Sequence, residues 1–257
     1  MSPRLIHEII RDDGEAELRR PVGALAWSGL ASGLSRGFSV LTQALLRGSL
    51  PDETWRHLID SFGYSVGFII VVLGRQQLFT ESTLTAVLPV LARRDRPTVL
   101  AMLRLWGIVL SANLIGTFLF AAMILPEGLL RPEVYPILGE LAMATMDSPF
   151  WLTLLKAIFA GWLIALMVWL LPSAGSARLF VILLLTYVVA LGHLSHIIAG
   201  SVEAAYAVLD GQASLGRYMT AFLLPTLIGN TIGGVSLVAF LNHAPLSAEG
   251  GVPSGAD

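Results

Sequence analysis

Gly74-Arg75-Gln76-Gln77-Leu78-Phe79-Thr80-Glu81-Ser82-Thr83 interrupts an apolar run that begins near residue 57 and resumes over residues 84–91. A second insert reads Gly192-His193-Leu194-Ser195-His196-Ile197-Ile198-Ala199-Gly200-Ser201-Val202-Glu203, and apolar sequence resumes from Ala204 to Leu209. A bilayer crossing needs about 20 mostly apolar residues per helix. The first interrupted stretch is too long for one straight crossing, and the second repeats its pattern. Non-helical backbone at membrane depth survives only where protein or a watery cavity satisfies its polar groups. The two inserts therefore predict a pair of broken spans around one buried path.

The rest of the chain fits a membrane setting. Of 257 residues, 55% are hydrophobic and 13% are charged, with no cysteine and a net charge of −2. The mean hydropathy is +0.74. Ordinary soluble domains carry about 25% charged residues, so this chain lacks the charge to cover a water-facing surface. The absence of cysteine excludes a disulfide scaffold, and the hydrophobicity excludes a disordered chain. With no basic stripe, no nucleic-acid partner is expected; the lipid bilayer is.

Six spans are expected, over residues 21–46, 57–74, 105–125, 149–171, 179–192 and 218–241. Three spans per half invert the second half relative to the first. The interrupted spans are then the middle ones of each half, the best sequence pointer to a transport site. The fold class is an all-α membrane protein of six transmembrane helices in two inverted three-helix halves, broken at the second and fifth spans. Residues 1–20 are charged and lack an apolar signal-peptide core, so the first hydrophobic segment is expected to stay as an uncleaved span. His7 to Arg20 reads equally as an amphipathic helix at the membrane face or cap of the bundle and as a solvated tail. The apolar stretch 134–143 is expected to lie along the interface rather than span. Basic residues concentrate before the first span and at Arg93, Arg94, Arg96 and Arg178, which places both termini in the cytoplasm. The expected organisation is a cytoplasmic segment 1–20, a channel domain 21–241 and a cytoplasmic tail 242–257.

Gly74-Arg75-Gln76-Gln77-Leu78-Phe79-Thr80 in the second span, Leu155-Lys156 with Trp162 in the fourth, and His193-Leu194-Ser195-His196-Ile197 in the fifth resemble the formate/nitrite transporter family. The resemblance covers nearly the whole chain, as a divergent branch. Lys, Trp, Thr and His of the family pattern are kept. The family Asn falls on Gly161, the family Glu falls on Ser195, and no acid precedes Leu78. The resemblance implies an aquaporin-like fold with a pore through each protomer of a homopentamer in the bacterial inner membrane. It also implies passage of small monovalent anions or their acids, with protons, and no cofactor.

Each candidate residue has a plainer alternative. His196 is a pore-centre donor or a neutral core histidine; ionisable groups inside spans are usually functional, and the resemblance favours the former. His193 and His196 lack a third ligand at suitable spacing, so no metal is expected. Lys156 supplies a field that draws anions, or snorkels to the interface. Thr80 is a pore hydroxyl or a turn residue. Leu78 and Phe79 are constriction residues by resemblance, and core otherwise. Arg36 and Arg104 also lie in or beside spans. Arg75 and Glu81 are expected to pair with each other or with Glu203 in a structural role. Two other functions stay open: a neutral-solute channel, disfavoured because neither break carries Asn-Pro-Ala, and a membrane-embedded enzyme built on Glu81 and Glu203.

Overall fold

The structure, a computed structural model, describes residues 1–240, with side chains described to Ser236. Leu241 and the expected tail 242–257 lie outside the described residues. The described chain is all helical. After α1 (Pro3–Leu18), the first span is α2 (Val22–Ser49), and the second is α3 (Arg56–Leu73) continued by α4 (Phe79–Thr85) and α5 (Val87–Arg93). The third is α6 (Arg96–Ile124). Then α7 (Val134–Ala144) precedes the second half: α8 (Phe150–Leu170), the broken pair α9 (Arg178–Leu191) and α10 (Ile197–Leu209), and a sixth span over residues 215–240. That last span alternates α11 (Leu215–Arg217) and α12 (Leu224–Ile232) with π-helical turns Tyr218–Leu223 and Gly233–Phe240.

Among the described residues, four stretches are long and apolar enough to cross a membrane unaided: Arg56–Leu73, Arg96–Ile124, Phe150–Ser173 and Leu215–Ser236. Helix α2 has the length but carries Ser32, Arg36, Ser39 and Gln43 on its buried face. Polarity concentrated on the inward side of a span marks a face that meets protein or a path, since lipid would leave it unsatisfied. The outward faces are the reverse: Trp27, Phe180, Leu100 and Met123 are all more than 60% exposed. Only lipid or a neighbouring copy suits such a belt.

Without a strong hydrophobic drive between helices inside a bilayer, close packing relies on small residues. Gly29 of α2 lies against Ala112 and Asn113 of α6, Gly33 against the Asn113 carbonyl and Gly116, and Gly37 against the Phe120 ring. The second half repeats this: Gly161 of α8 lies against the Asn230 backbone, and Gly229 and Gly233 of the sixth span lie against Ala157 and the Ile158 carbonyl. The glycine contacts are thus within the subunit, and they weld the outer spans of each half into pairs that flank the broken span.

Helices α1 and α7 are equivalent prefaces to the two halves. The sequence expectation for α1 resolves as a cap on the bundle: Ile6, Ile10 and Leu18 are buried, and Gly14 rests on the Thr85 carbonyl at the end of α4. Helix α7 has only 11 residues, too few to span. It packs on α2 and α10, burying Val134, Leu138, Leu141 and Ala142 against them.

A Cβ at Gly33 would collide with the Asn113 carbonyl oxygen and come within 2.9 Å of the Gly116 Cα. Overpacking a tight contact costs about 1–3 kcal/mol. Gly33→Leu is expected to lower the thermal midpoint of the detergent-purified protein by several degrees. Gly23→Leu, where nothing lies within 4 Å, should leave it unchanged; equal effects would show that α2 and α6 do not meet at Gly33.

Candidate functional site

Both breaks begin with the same backbone device. Helix α3 ends at Gly74, and Arg75 turns left-handed with φ of 50°. The Arg75 N–H donates to the Val72 carbonyl at 3.2 Å and the Gln76 N–H to the Val71 carbonyl at 3.0 Å. Helix α9 ends at Gly192, and His193 turns left-handed with φ of 46°. The His193 N–H donates to the Ala190 carbonyl and the Leu194 N–H to the Val189 carbonyl, both at 2.9 Å. This nested pair of bonds satisfies carbonyls at a helix end. Helix resumes at Phe79 and at Ile197, so each break is shorter than the polar insert suggests. Thr80 to Thr83 and Ile198 to Glu203, written as insert in the sequence, are already helical, because their hydroxyls and small side chains serve the first turns of α4 and α10.

Two asparagines hold the breaks. Asn113 of α6 is fully buried. Its Nδ2 donates to the Gly29 carbonyl at 2.7 Å and the Gln77 carbonyl at 2.9 Å, and its Oδ1 accepts from the Phe79 N–H at 2.9 Å. Asn230 of the sixth span repeats the set: Nδ2 donates to the Ala157 and Ser195 carbonyls at 2.8 and 2.9 Å, and Oδ1 accepts from the Ile197 N–H at 2.8 Å. A primary amide is the neutral side chain that offers both donors and an acceptor. Neither residue stood out in the sequence, since a lone Asn in an apolar span is a weak signal. The signal that was available is a repeat, Asn113-Leu114-Ile115-Gly116 in the third span and Asn230-Thr231-Ile232-Gly233 in the sixth.

His196 caps α10 and reaches across to the other half. Its Nδ1 accepts from the Ile198 and Ala199 N–H groups, both at 3.3 Å. Its Nε2 lies 2.9 Å from the Thr80 hydroxyl. With Nδ1 committed as acceptor, the ring is neutral and carries its hydrogen on Nε2, which donates to Thr80. Both side chains are buried, and the Phe68 ring stands edge-on to the imidazole at 5.0 Å between centroids.

Two vestibules lie in the described body, and His196 lines the one beside α7. The one beside α7 encloses about 270 Å³ and is lined by Arg47, Tyr64, Lys156, Val189, His193, Ser195, His196 and Glu203, among others. Lys156 donates to the Ser148 hydroxyl at 3.0 Å, so its ammonium faces this vestibule. The vestibule beside α1 encloses about 520 Å³ and carries Asp13, Glu17 and Glu81 with Arg20, Arg75 and Arg178. Glu81 lines one vestibule, its neighbour Thr80 bonds His196, and His196 lines the other. The bond thus sits at the lining of the α7 vestibule, one residue along the chain from the lining of the α1 vestibule.

The structure brings Thr80, His196, Ser195, Lys156 and Glu203 to one region. Leu78 and Phe79 are buried beside it, with Phe79 edge-on to Trp106 at 5.9 Å, and line neither vestibule. Gly161 meets the Asn230 backbone rather than a cavity. The expected pairing of Arg75 with Glu81 or Glu203 does not form: among the described residues none of the three makes an ion pair. The left-handed turn at Arg75 leaves its side chain exposed. Glu203 instead accepts from the Thr145 hydroxyl at the end of α7. His193 stacks on His57 at 4.3 Å, and His57 bonds Asp60 at 3.0 Å.

The comparisons with known proteins agree with this geometry. A family model described as formate/nitrite transporter matches residues 4–244. "Inner membrane protein YfdC" of Escherichia coli (strain K12) is 42% identical over 241 residues, which cover 94% of this chain and 78% of that protein. "Formate channel BtFdhC" of Bacillus thuringiensis is 24% identical, covering 94% of each. A solved "FNT family ion channel" superposes with a TM-score of 0.77 at 21% identity, over 95% of this chain and 98% of that one. A "pentameric formate channel with formate bound" superposes at 0.73 with 17% identity, over 92% and 99%.

Removing an asparagine clamp leaves two buried backbone groups at the break without a partner, at about 1–3 kcal/mol each. Asn113→Leu is expected to destabilise the protein and to speed hydrogen exchange at the Phe79 amide at least tenfold, with the Ile197 amide unaffected; unchanged exchange at Phe79 would show that the break holds itself. Glu17 of α1 generates a second prediction. It accepts from Gln77 Nε2 at 3.1 Å and the Thr85 hydroxyl at 2.7 Å, while burial pushes its carboxyl above the ordinary range despite these two bonds. A raised carboxyl stabilises the docked state at low pH, and the contribution is lost as pH rises above about 4.5 and through the docked value. Intrinsic-rate-corrected hydrogen exchange across α1 should therefore increase with pH, and Glu17→Gln should flatten that trend; an unaltered trend would place its cause elsewhere.

Proposed function

The chain belongs to the formate/nitrite transporter family, and on that premise we propose that it passes small monovalent anions, or the weak acids they form, along a path through each subunit. The observation that carries this reading is the buried Thr80–His196 bond at the lining of the vestibule beside α7, which also holds Arg47 and Lys156. A bare anion in a dry constriction costs tens of kcal/mol in the idealised limit. A carboxylate with pKa near 3.9 costs only about 4 kcal/mol to protonate at pH 7. Lys156 and Arg47 concentrate the anion by their field. His196 offers its Nε2 hydrogen at the seal, and the proton that neutralises the anion comes from vestibule water, because Nδ1 is held by the α10 amides. Thr80 accepts that hydrogen bond at rest and releases it when a permeating acid takes its place.

The same reading places the protein in the inner membrane, as the name of the YfdC relative supports. Both termini are cytoplasmic on the positive-inside rule. Residues 1–20 then form a cytoplasmic segment docked on a channel body, and the α1 vestibule opens to the cytoplasm. The apolar outer belt suits a homopentamer, the assembly named for the solved formate channel that shares this fold. Passage involves no covalent chemistry in this reading.

Proteoliposome flux tests it. Wild-type protein is expected to carry formate and nitrite and to give no glycerol-driven swelling; the reverse result would establish the neutral-solute alternative. His196→Phe keeps the bulk and removes both ring nitrogens, and should cut flux at least tenfold while the purified assembly elutes unchanged. His193→Phe should do much less. Lys156→Ala should reduce uptake most at low ionic strength, since a field effect is screened by salt. Parent-like flux in His196→Phe would reduce His196 to a core histidine.

A further inference from the structure

Arg36 has no place in the account so far. It lies mid-way along α2, is fully buried, and all three guanidinium nitrogens are sealed from solvent. None makes a hydrogen bond to the protein at ordinary distance, and no carboxylate comes within 4 Å among the described residues. A buried arginine in a structural role spends its donors on carboxylates or carbonyls. This one is held by an aromatic face: its central carbon sits 3.2 Å from the centroid of the Phe68 ring and 5.4 Å from that of Tyr64. Stacking fixes the plane of a guanidinium and consumes no N–H.

The position is as telling as the free donors. Phe68 also stands against His196, and Tyr64 lines the vestibule beside α7. Arg36 therefore lies at the depth of the Thr80–His196 seal. The charged groups that act on it are Glu81, from the α1 vestibule, and Glu203, from the α7 vestibule. The Tyr64 hydroxyl is a further polar neighbour of its guanidinium.

We propose that Arg36 is an anion-binding residue at the centre of the path, its guanidinium taking a planar monovalent oxyanion of the carboxylate or nitrite kind through paired N–H groups. The inference deepens the proposed function and rests on it. A permanently charged fork suits a two-oxygen anion better than a point charge does. A single cation with two carboxylates in reach cannot balance a divalent charge, which disfavours sulfate or phosphate. Arg47 and Lys156 then attract the anion, Arg36 receives it, and His196 donates to it at the seal.

Anion-dependent thermal shift of the purified full chain, with flux in parallel, tests the assignment. For the parent, formate and nitrite should raise the midpoint saturably, and sulfate at matched ionic strength should not. Arg36→Met removes the charge at similar length and should shift half-saturation for formate at least tenfold upward in both assays. Arg36→Lys, which keeps the charge and loses the fork, should fall between the two, and it decides the question if Arg36→Met does not fold. Half-saturation like the parent's in the folded variant makes Arg36 a packing residue and overturns the proposal. So does a parent that carries formate but shows no saturable shift. A parent that carries neither formate nor nitrite sinks the proposed function itself, a result distinct from either of these.

Discussion

A backbone that leaves its helix inside a membrane must find partners for its amides and carbonyls, and two asparagines supply them here. Asn113 and Asn230 each tie the carbonyl of an outer span, the carbonyl two residues before a half-helix and the first amide of that half-helix into one knot. Each knot needs the outer spans at backbone contact, and the glycines at 29, 33, 161 and 233 make that approach possible. The left-handed turns at Arg75 and His193 satisfy the other side of each break. Without these bonds a break at this depth would cost several kcal/mol for each orphaned group.

The two halves share a frame and differ in what they hang on it. Leu78 and His196 occupy the same cap position before α4 and α10, but only His196 turns a side chain back onto the new helix and forward onto Thr80. A carboxylate–hydroxyl pair joins each preface helix to its half-helix, with the partners exchanged: Glu17 with Thr85, and Thr145 with Glu203. An inverted repeat makes two equivalent cradles, and the departure from equivalence at the cap position puts an imidazole in one half and an isobutyl group in the other.

Much of this frame was legible in the sequence. Six spans, the inverted halves and the two interrupted members follow from hydropathy and from the placement of polar inserts, because membrane insertion punishes every unsatisfied backbone group. His196, Thr80 and Lys156 stood out as polar groups where apolar ones are expected, and the structure brings them together. The clamps did not stand out, because an uncharged Asn costs little in a hydropathy sum and its value lies in three bonds to residues remote in sequence. The break lengths were overestimated for a related reason: Thr80, Ser82 and Thr83 look like loop, yet Ser82 and Thr83 return their hydroxyls to carbonyls of the same short helix. The pairing of Arg75 with the glutamates failed because a left-handed turn, invisible in composition, aims that side chain away.

The glycine contacts also bear on time and direction. Spans welded at backbone distance cannot slide past one another without breaking the asparagine knots, so each half holds together as one body. What remains mobile at the seal is a hydroxyl, an imidazole and a few neighbouring rings. Such groups move far faster than packed domains, which rearrange over about microseconds to milliseconds. A seal opened by side chains alone has no stroke in which to store work.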